Sequence, residues 1–146
     1  MKKLIIIIIV ILTAIAIYSG LQYKAQKDVE QEKIAEKREE FYKSQQERIK
    51  LYFIYNAKDR SKIKSIHFTN IEDGAMGDVV IEGYINHPDN QFTTFGAPQD
   101  NFQFDGNMVT SNEITALLKE SDQLTPPNEI YKKLSQKEID ALLRGK

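Results

Sequence analysis

The chain contains no cysteine. That excludes disulfides, a thiolate nucleophile, a Cys-based metal centre and the modified cysteine that anchors a lipoprotein. Histidine is nearly as scarce: His67 and His87 are the only two. A two-His metal site would need a carboxylate such as Glu82 or Asp89 brought beside them, and nothing in the spacing enforces that. The sequence around Ser65, Ser111, Ser121 and Ser135 has no nucleophile-elbow pattern, and two of these serines fall in helix-capping sequences. Basic charge is not in excess. Beyond the first three residues, 18 basic and 21 acidic side chains leave −3, too even for the basic stripe of a nucleic-acid binder. Asp78 and Glu82, with Asp100 and Asp105 further on, are spaced as a solvated polar face, not as the paired carboxylates of a hydrolytic cleft. These absences point to a non-enzymatic chain with no metal and no small-molecule cofactor.

What the sequence does have is a long apolar run at its start. Leu4–Leu21 carries no charge and follows Met1-Lys2-Lys3. At about 1.5 Å per residue a helix over this run reaches about 27 Å, close to the roughly 30 Å hydrocarbon core of a bilayer. Apolar residues occupy every face of it, whereas a soluble helix needs a polar side. Tyr18 and Tyr23 suit the membrane interface. The run is expected to be a transmembrane signal anchor that holds the chain to the lipid bilayer. A cleaved secretory signal, with small residues at Ala14-Ile15-Ala16 or near Ser19-Gly20, is the competing reading. Lys2 and Lys3 resemble the start of a secretory signal and place residues 1–3 in the cytoplasm. Lys24, Lys27, Lys33, Lys37 and Arg38 pull the other way under the positive-inside rule. The expected location is therefore a single-pass cell-membrane protein with its domain extracytoplasmic.

Gln22 to Asn56 contains neither Gly nor Pro and is rich in Lys, Glu, Gln and Ala, all adequate helix formers. Residues 22–40 are mostly charged, with opposite charges at helical spacing, and predict a solvated stalk about 30 Å long. From Phe41 the pattern changes: Phe41, Gln45, Ile49, Tyr52 and Phe53 share one helical face that must pack on something. Short strands follow. Lys62–Thr69 has Ile66 and Phe68 on one side, then Asn70–Gly77 reads as a loop. Asp78–Asn86 alternates, with Val79, Ile81, Gly83 and Ile85 opposite Val80, Glu82, Tyr84 and Asn86. The turn His87-Pro88-Asp89-Asn90 leads into Gln91–Phe95 and predicts a hairpin. Asn101–Phe104 reads as a further short strand ended by Asp105-Gly106. Capping-box sequences at Thr110–Glu113 and Ser135–Glu138 start helices, and Pro126-Pro127 sets off a third piece, Asn128–Leu134. The predicted fold class is α+β: a long helix packed on a small antiparallel sheet of three to four strands, with short C-terminal helices. Residues 41–120 form the predicted domain and residues 121–146 a helical tail that docks weakly or frays.

Several blocks resemble a family of small Gram-positive proteins known as domain of unknown function 1433. In order they are Gln46-Glu47-Arg48-Ile49, Tyr55-Asn56, Ile66-His67-Phe68-Thr69, Met76-Gly77, Ile81-Glu82-Gly83-Tyr84-Ile85-Asn86 and Asn101-Phe102-Gln103-Phe104-Asp105-Gly106. They span about Glu40 to Ser111. Ala75 stands where the family pattern has Pro before Met-Gly, and His-Pro-Asp-Asn stands where it has Asn-Asp-Lys-like residues. The resemblance implies a membrane-anchored surface protein of a low-G+C bacterium, and it carries no catalytic residues across.

The aromatic residues of the strands are the remaining candidates. Tyr84, Phe92, Phe95, Phe102 and Phe104 are core residues if they all face the helix. If Tyr84 is joined on the opposite face by Phe92 or Phe102, they form a binding surface. The expected partner-binding set is Tyr84, Asn86, Phe92, Phe102 and Phe104. The function this supports is a membrane-anchored binding module, an immunity-type or accessory protein that recognises a secreted protein. Two alternatives stay open: an envelope-assembly protein acting by self-association, and a small ligand-binding domain.

Overall fold

In a computed structural model the chain is described from Lys2 to Gly145, with side chains from Leu12 onward. The first element, α1, is an α-helix over Lys2–Asn56. The chain divides into two compact units, Met1–Phe41 and Tyr42–Lys146. In the first, every residue from Leu12 to Glu40 is exposed, including the apolar Leu12, Ile15, Ile17 and Leu21. Among the described residues no helix is long and apolar enough to cross a membrane. The first part of the predicted span, Leu4–Ile11, lies outside the residues whose side chains are described.

The second unit is α+β, with a four-stranded antiparallel sheet in the order β1-β2-β3-β4: Ile66–Asp73, Val79–Ile85, Gln91–Gly96 and Phe104–Thr110. Three short helices follow: α2 (Asn112–Leu117), α3 (Pro127–Lys133) and α4 (Gln136–Leu143). The predicted face of α1 is the one that packs. Gln45, Ile49, Tyr52, Phe53 and Asn56 are buried against the sheet side of the core. Phe53 meets Phe92 with ring centroids 5.0 Å apart, and Tyr52 meets Phe104 edge-on at 5.3 Å. Each fully buried large apolar side chain of this kind contributes about 1.5–3 kcal/mol. Phe53, Phe92, Phe104, Ile49 and Ile85 therefore hold the helix to the sheet.

The strand boundaries differ from the sequence expectation in instructive ways. Lys62, the first residue of the predicted first strand, instead ends a 3-10 turn, Arg60–Lys62, capped by Asp59, and the strand starts at Ile66. The strand then continues through Asn70–Asp73, which was expected to be a loop. A register shift between Phe68 and Asn70 opposite β2 makes this possible. One extra residue, a bulge, resets the alternation so that Phe68 and Ile71 both turn inward. The short strand expected at Asn101–Phe104 is a turn. Asn101 and Phe102 sit at φ 52° and 63°, a conformation no strand allows, and the strand begins at Phe104 and runs through Asp105-Gly106. The first C-terminal cap falls on Ser111, whose Oγ accepts from the Ile114 N–H, and not on Thr110. At Ser135 the capping box is present as expected, with Glu138 accepting from both the Ser135 N–H and its hydroxyl.

Gly83 lies between Phe68 on β1 and Phe92 on β3. A Cβ there would collide with the His67 carbonyl oxygen and the Phe92 ring. The absent side chain lets Phe92 lie across the sheet's inner face. The C-terminal helices belong to the same core: Ile114, Pro127, Ile130 and Ile139 are buried. Polar residues of α1 stitch these layers together. Gln45 Oε1 accepts from the Phe104 N–H at 2.9 Å, and the Arg48 guanidinium donates to the Phe104 carbonyl and to Asn128. Asn56 closes the helix end with Nδ2 on the Tyr52 and Thr125 carbonyls and Oδ1 on the Thr125 N–H at 2.8 Å.

Candidate functional site: the open face of the sheet

The sheet has two unlike faces. Val79, Ile81, Gly83 and Ile85 of β2 are buried beneath α1, and the alternate residues Val80, Glu82 and Tyr84 are half-exposed. Register extends the outer face across the strands. One row is His67–Tyr84–Gln91, the next Asn70–Glu82–Thr93–Val109, the third Glu72–Val80–Phe95. Val109 is 65% exposed, and Val80, Glu82, Tyr84, Thr93 and Phe95 are half-exposed. An antiparallel sheet solvated on one side is ordinary. Less ordinary is that Val80, Tyr84, Phe95 and Val109 put apolar and aromatic surface at its middle and edges.

The centre of the face is built from two neighbouring pairs. The His67 and Tyr84 rings stack with centroids 4.7 Å apart and planes 21° from parallel. Asn70 Nδ2 donates to Glu82 Oε2 at 3.4 Å. Between them is a shallow notch of about 120 Å³ bounded by Thr69, Glu82, Tyr84, Gln91 and Thr93, over Gly83. The bulge shapes it, since it brings Thr69 to the rim.

Of the five residues expected to bind a partner, the structure places one at this centre. Tyr84 is on the open face. Phe92 and Phe104 are 1% and 2% exposed and face α1, which corrects their assignment to the binding surface. The cause is register: Phe92 sits opposite Gly83 and Phe104 opposite Gly96, both on the inner side. Phe102 is 42% exposed in the turn before β4. Asn86 has a scaffolding role at φ 64°. Its Oδ1 accepts from the Lys64 and Ser65 N–H groups and its Nδ2 donates to the Lys62 carbonyl, pinning the entry to β1. Phe95, grouped with the aromatics but not expected to bind, is on the open face with Val80.

A second site feature is visible in the sequence once the sheet is known. Between Lys64 and Lys119 there is not one Lys or Arg, while Glu72, Asp73, Asp78, Glu82, Asp89, Asp100, Asp105 and Glu113 all occur there. This segment contains the whole sheet and its turns. Elsewhere the charges are mixed, so the balanced total conceals the division. Arg48, reaching in from α1, lies 3.7 Å from Asp105, the residue at the start of β4. Burial pulls the Arg48 guanidinium below its usual range, while Tyr131 and Asp105 push it back up.

The second unit is thus a helix-backed, four-stranded antiparallel sheet whose other face carries Glu72, Glu82, Tyr84, Phe95 and Val109. The chain matches the family described as "Protein of unknown function (DUF1433)" over residues 41–132, and it belongs to that family. The match begins at the boundary of the second compact unit and ends before α4. No curated protein and no solved structure matches the chain.

Proposed function

We propose that this chain is a non-enzymatic binding module, tethered to the cell membrane, whose open sheet face recognises another protein outside the cell. Within that class it acts as an immunity-type or accessory protein towards a secreted partner. One observation carries the reading: the sheet keeps one face open, with Val80, Tyr84, Phe95 and Val109 on it, while the other is closed by α1. Half-exposed aromatic and aliphatic residues in the middle of the face, beside an exposed Val109 on its edge strand, are side chains of the kind that anchor protein recognition. The uncharged run Leu4–Leu21 behind two lysines supports a single-pass anchor with a cytoplasmic N-terminus. The charged helical residues 22–40 serve as its spacer.

The test uses the full-length chain in its own membrane. A photo-crosslinking amino acid at Val109 is expected to give an adduct with a secreted protein, and the same group at Lys137 on α4 is expected to give none. External protease should cut the Gly74–Gly77 loop in intact cells. Adducts only between copies of this chain would replace the reading with self-association, and a loop cut only after lysis would reverse the orientation.

A further inference from the structure

The charge of the partner follows from the open face, on the reading that the partner is a protein. We infer that it presents a Lys or Arg side chain to the notch between Glu82 and Tyr84, within a basic surface that faces the sheet. Three independent features point there. First, the four strands and the turns between them hold seven carboxylates and no Lys or Arg, and two of the seven, Glu72 and Glu82, lie in the rows of the open face, so the segment's own charges have one sign. Such a field steers an oppositely charged surface and raises its association rate. Second, register puts the Glu82 carboxylate in the middle row of the open face, with Asn70 and Thr93 to either side of it. Third, beside Gly83 and Phe92 the notch is lined by Thr69, Glu82, Tyr84, Gln91 and Thr93, each with a side chain that can accept a hydrogen bond. None of them is cationic.

The geometry suits a long basic side chain. Its apolar stem would lie over the Gly83 floor, where no side chain projects. Its head would reach the Glu82 carboxylate while passing the Tyr84 ring, which His67 holds in place by stacking. A charge-assisted hydrogen bond and a cation–ring contact would then act on one group. Among the described residues no cluster of three or more His, Asp or Glu side chains is placed to hold a metal ion, and the notch itself offers one carboxylate. The chemistry that fits is therefore a side chain on a partner surface.

Two arms separate this inference from the reading beneath it. In the first, the isotope-labelled full-length chain in detergent is titrated with a capped peptide of alternating Thr and Val carrying one central Arg. The same peptide with Gln in that place is the comparison. Saturable amide shifts at Glu82, Gly83, Tyr84 and Thr93 are expected for the Arg peptide alone. Glu82→Gln should weaken binding roughly tenfold, and added salt should weaken it further. Both variant and parent should give the same spectrum elsewhere, since Glu82 supports no core contact. Shifts that spread over all the carboxylates without saturating, or equal binding of the Gln peptide, would overturn the inference. The second arm repeats the Val109 crosslink with Glu82→Lys. Loss of the adduct, restored when a basic residue in the crosslinked segment is changed to Glu, supports it. An adduct that persists unchanged would overturn the charge inference and leave the binding module standing. If neither parent nor variant gives an adduct, the module reading fails, and the peptide titration alone decides the chemistry.

Discussion

Asn56→Ala tests whether the end of α1 is clamped by side-chain amide bonding or by apolar packing alone. Asn56 is fully buried. Its amide satisfies both main-chain groups of Thr125 and also bonds the Tyr52 carbonyl, at 2.8–3.1 Å. Its own carbonyl accepts from the Lys119 N–H at 2.9 Å. Alanine keeps that last bond and loses the other three. Each intramolecular hydrogen bond nets about 1 kcal/mol, and an orphaned buried partner costs about 1–3 kcal/mol. Thr125 is half-buried, so water recovers part of the loss, and about 2–4 kcal/mol is expected. The assay is urea unfolding of the full-length chain in mild detergent, followed by near-UV circular dichroism of the tyrosines. Amide exchange at Thr125 runs alongside it. Asn56→Asp sharpens the test. It keeps an acceptor for the Thr125 N–H but turns its second oxygen towards the Tyr52 and Thr125 carbonyls. Burial and those oxygens disfavour the carboxylate, so its native pKa is raised. A group of that kind stabilises the native state as pH falls, and the Asp variant should recover stability on acidification while the Ala variant does not. A cost for Asn56→Ala below about 0.5 kcal/mol with Thr125 still protected, or identical pH profiles for the two variants, would refute the clamp.

Gly83→Ala drives a Cβ into the His67 carbonyl and the Phe92 ring and should cost about 3 kcal/mol or more by overpacking, read as a lower urea midpoint. Gln45→Ala and Arg48→Met each release one main-chain group of Phe104. Because both act on one residue, their effects on unfolding free energy should couple by about 0.5 kcal/mol or more in a double-mutant cycle, and strict additivity would show that they act separately. The Glu138 carboxylate is held below its ordinary 4.5 by the Ser135 hydroxyl first and the Ser135 N–H second. A depressed carboxylate stabilises the fold above its unfolded pKa, and that contribution is lost as pH falls through the native one. The N-terminal turn of α4 should therefore fray on acidification, and Ser135→Ala should raise the Glu138 titration midpoint seen by NMR.

Periodicity made the backbone of this fold legible. The stripe Gln45, Ile49, Tyr52 and Phe53, and the strict alternation of Val79–Ile85, identify the two surfaces that meet. What periodicity cannot supply is register. In Gln91–Gly96, Phe92 and Phe95 lie three apart, so they must face opposite sides of a strand, and alternation alone does not say which is buried. The Gly83 opposite Phe92 decides it, and that is a contact between strands. The bulge at Thr69 is equally silent: Asn70 and Asp73 read as loop residues because the alternation slips by one. At Asn101-Phe102 the apolar Phe suggested a strand, and the left-handed backbone that ends a second 3-10 turn, Pro98–Asp100, overrode it. The burial of Arg48 was hidden because its partners, Phe104 and Asn128, lie far along the chain.

The missing cations are not a demand of the fold. Lysine is among the commonest devices that keep edge strands from pairing with other chains, and this sheet has two edges, β1 and β4, with no lysine or arginine on either. Other means protect them. The bulge beside Thr69 bends β1, and Gln45 and Arg48 occupy the main-chain groups of Phe104 where β4 begins. Solubility does not demand the absence either, since positions such as Thr93, Gln91 and Asn107 are open enough to hold a lysine. Stability argues against the arrangement, because like charges gathered in one segment repel. A segment that forgoes the ordinary edge defence and accepts self-repulsion is what the inferred basic partner would account for, and an adduct at Val109 that survives Glu82→Lys would leave the charge pattern without that account.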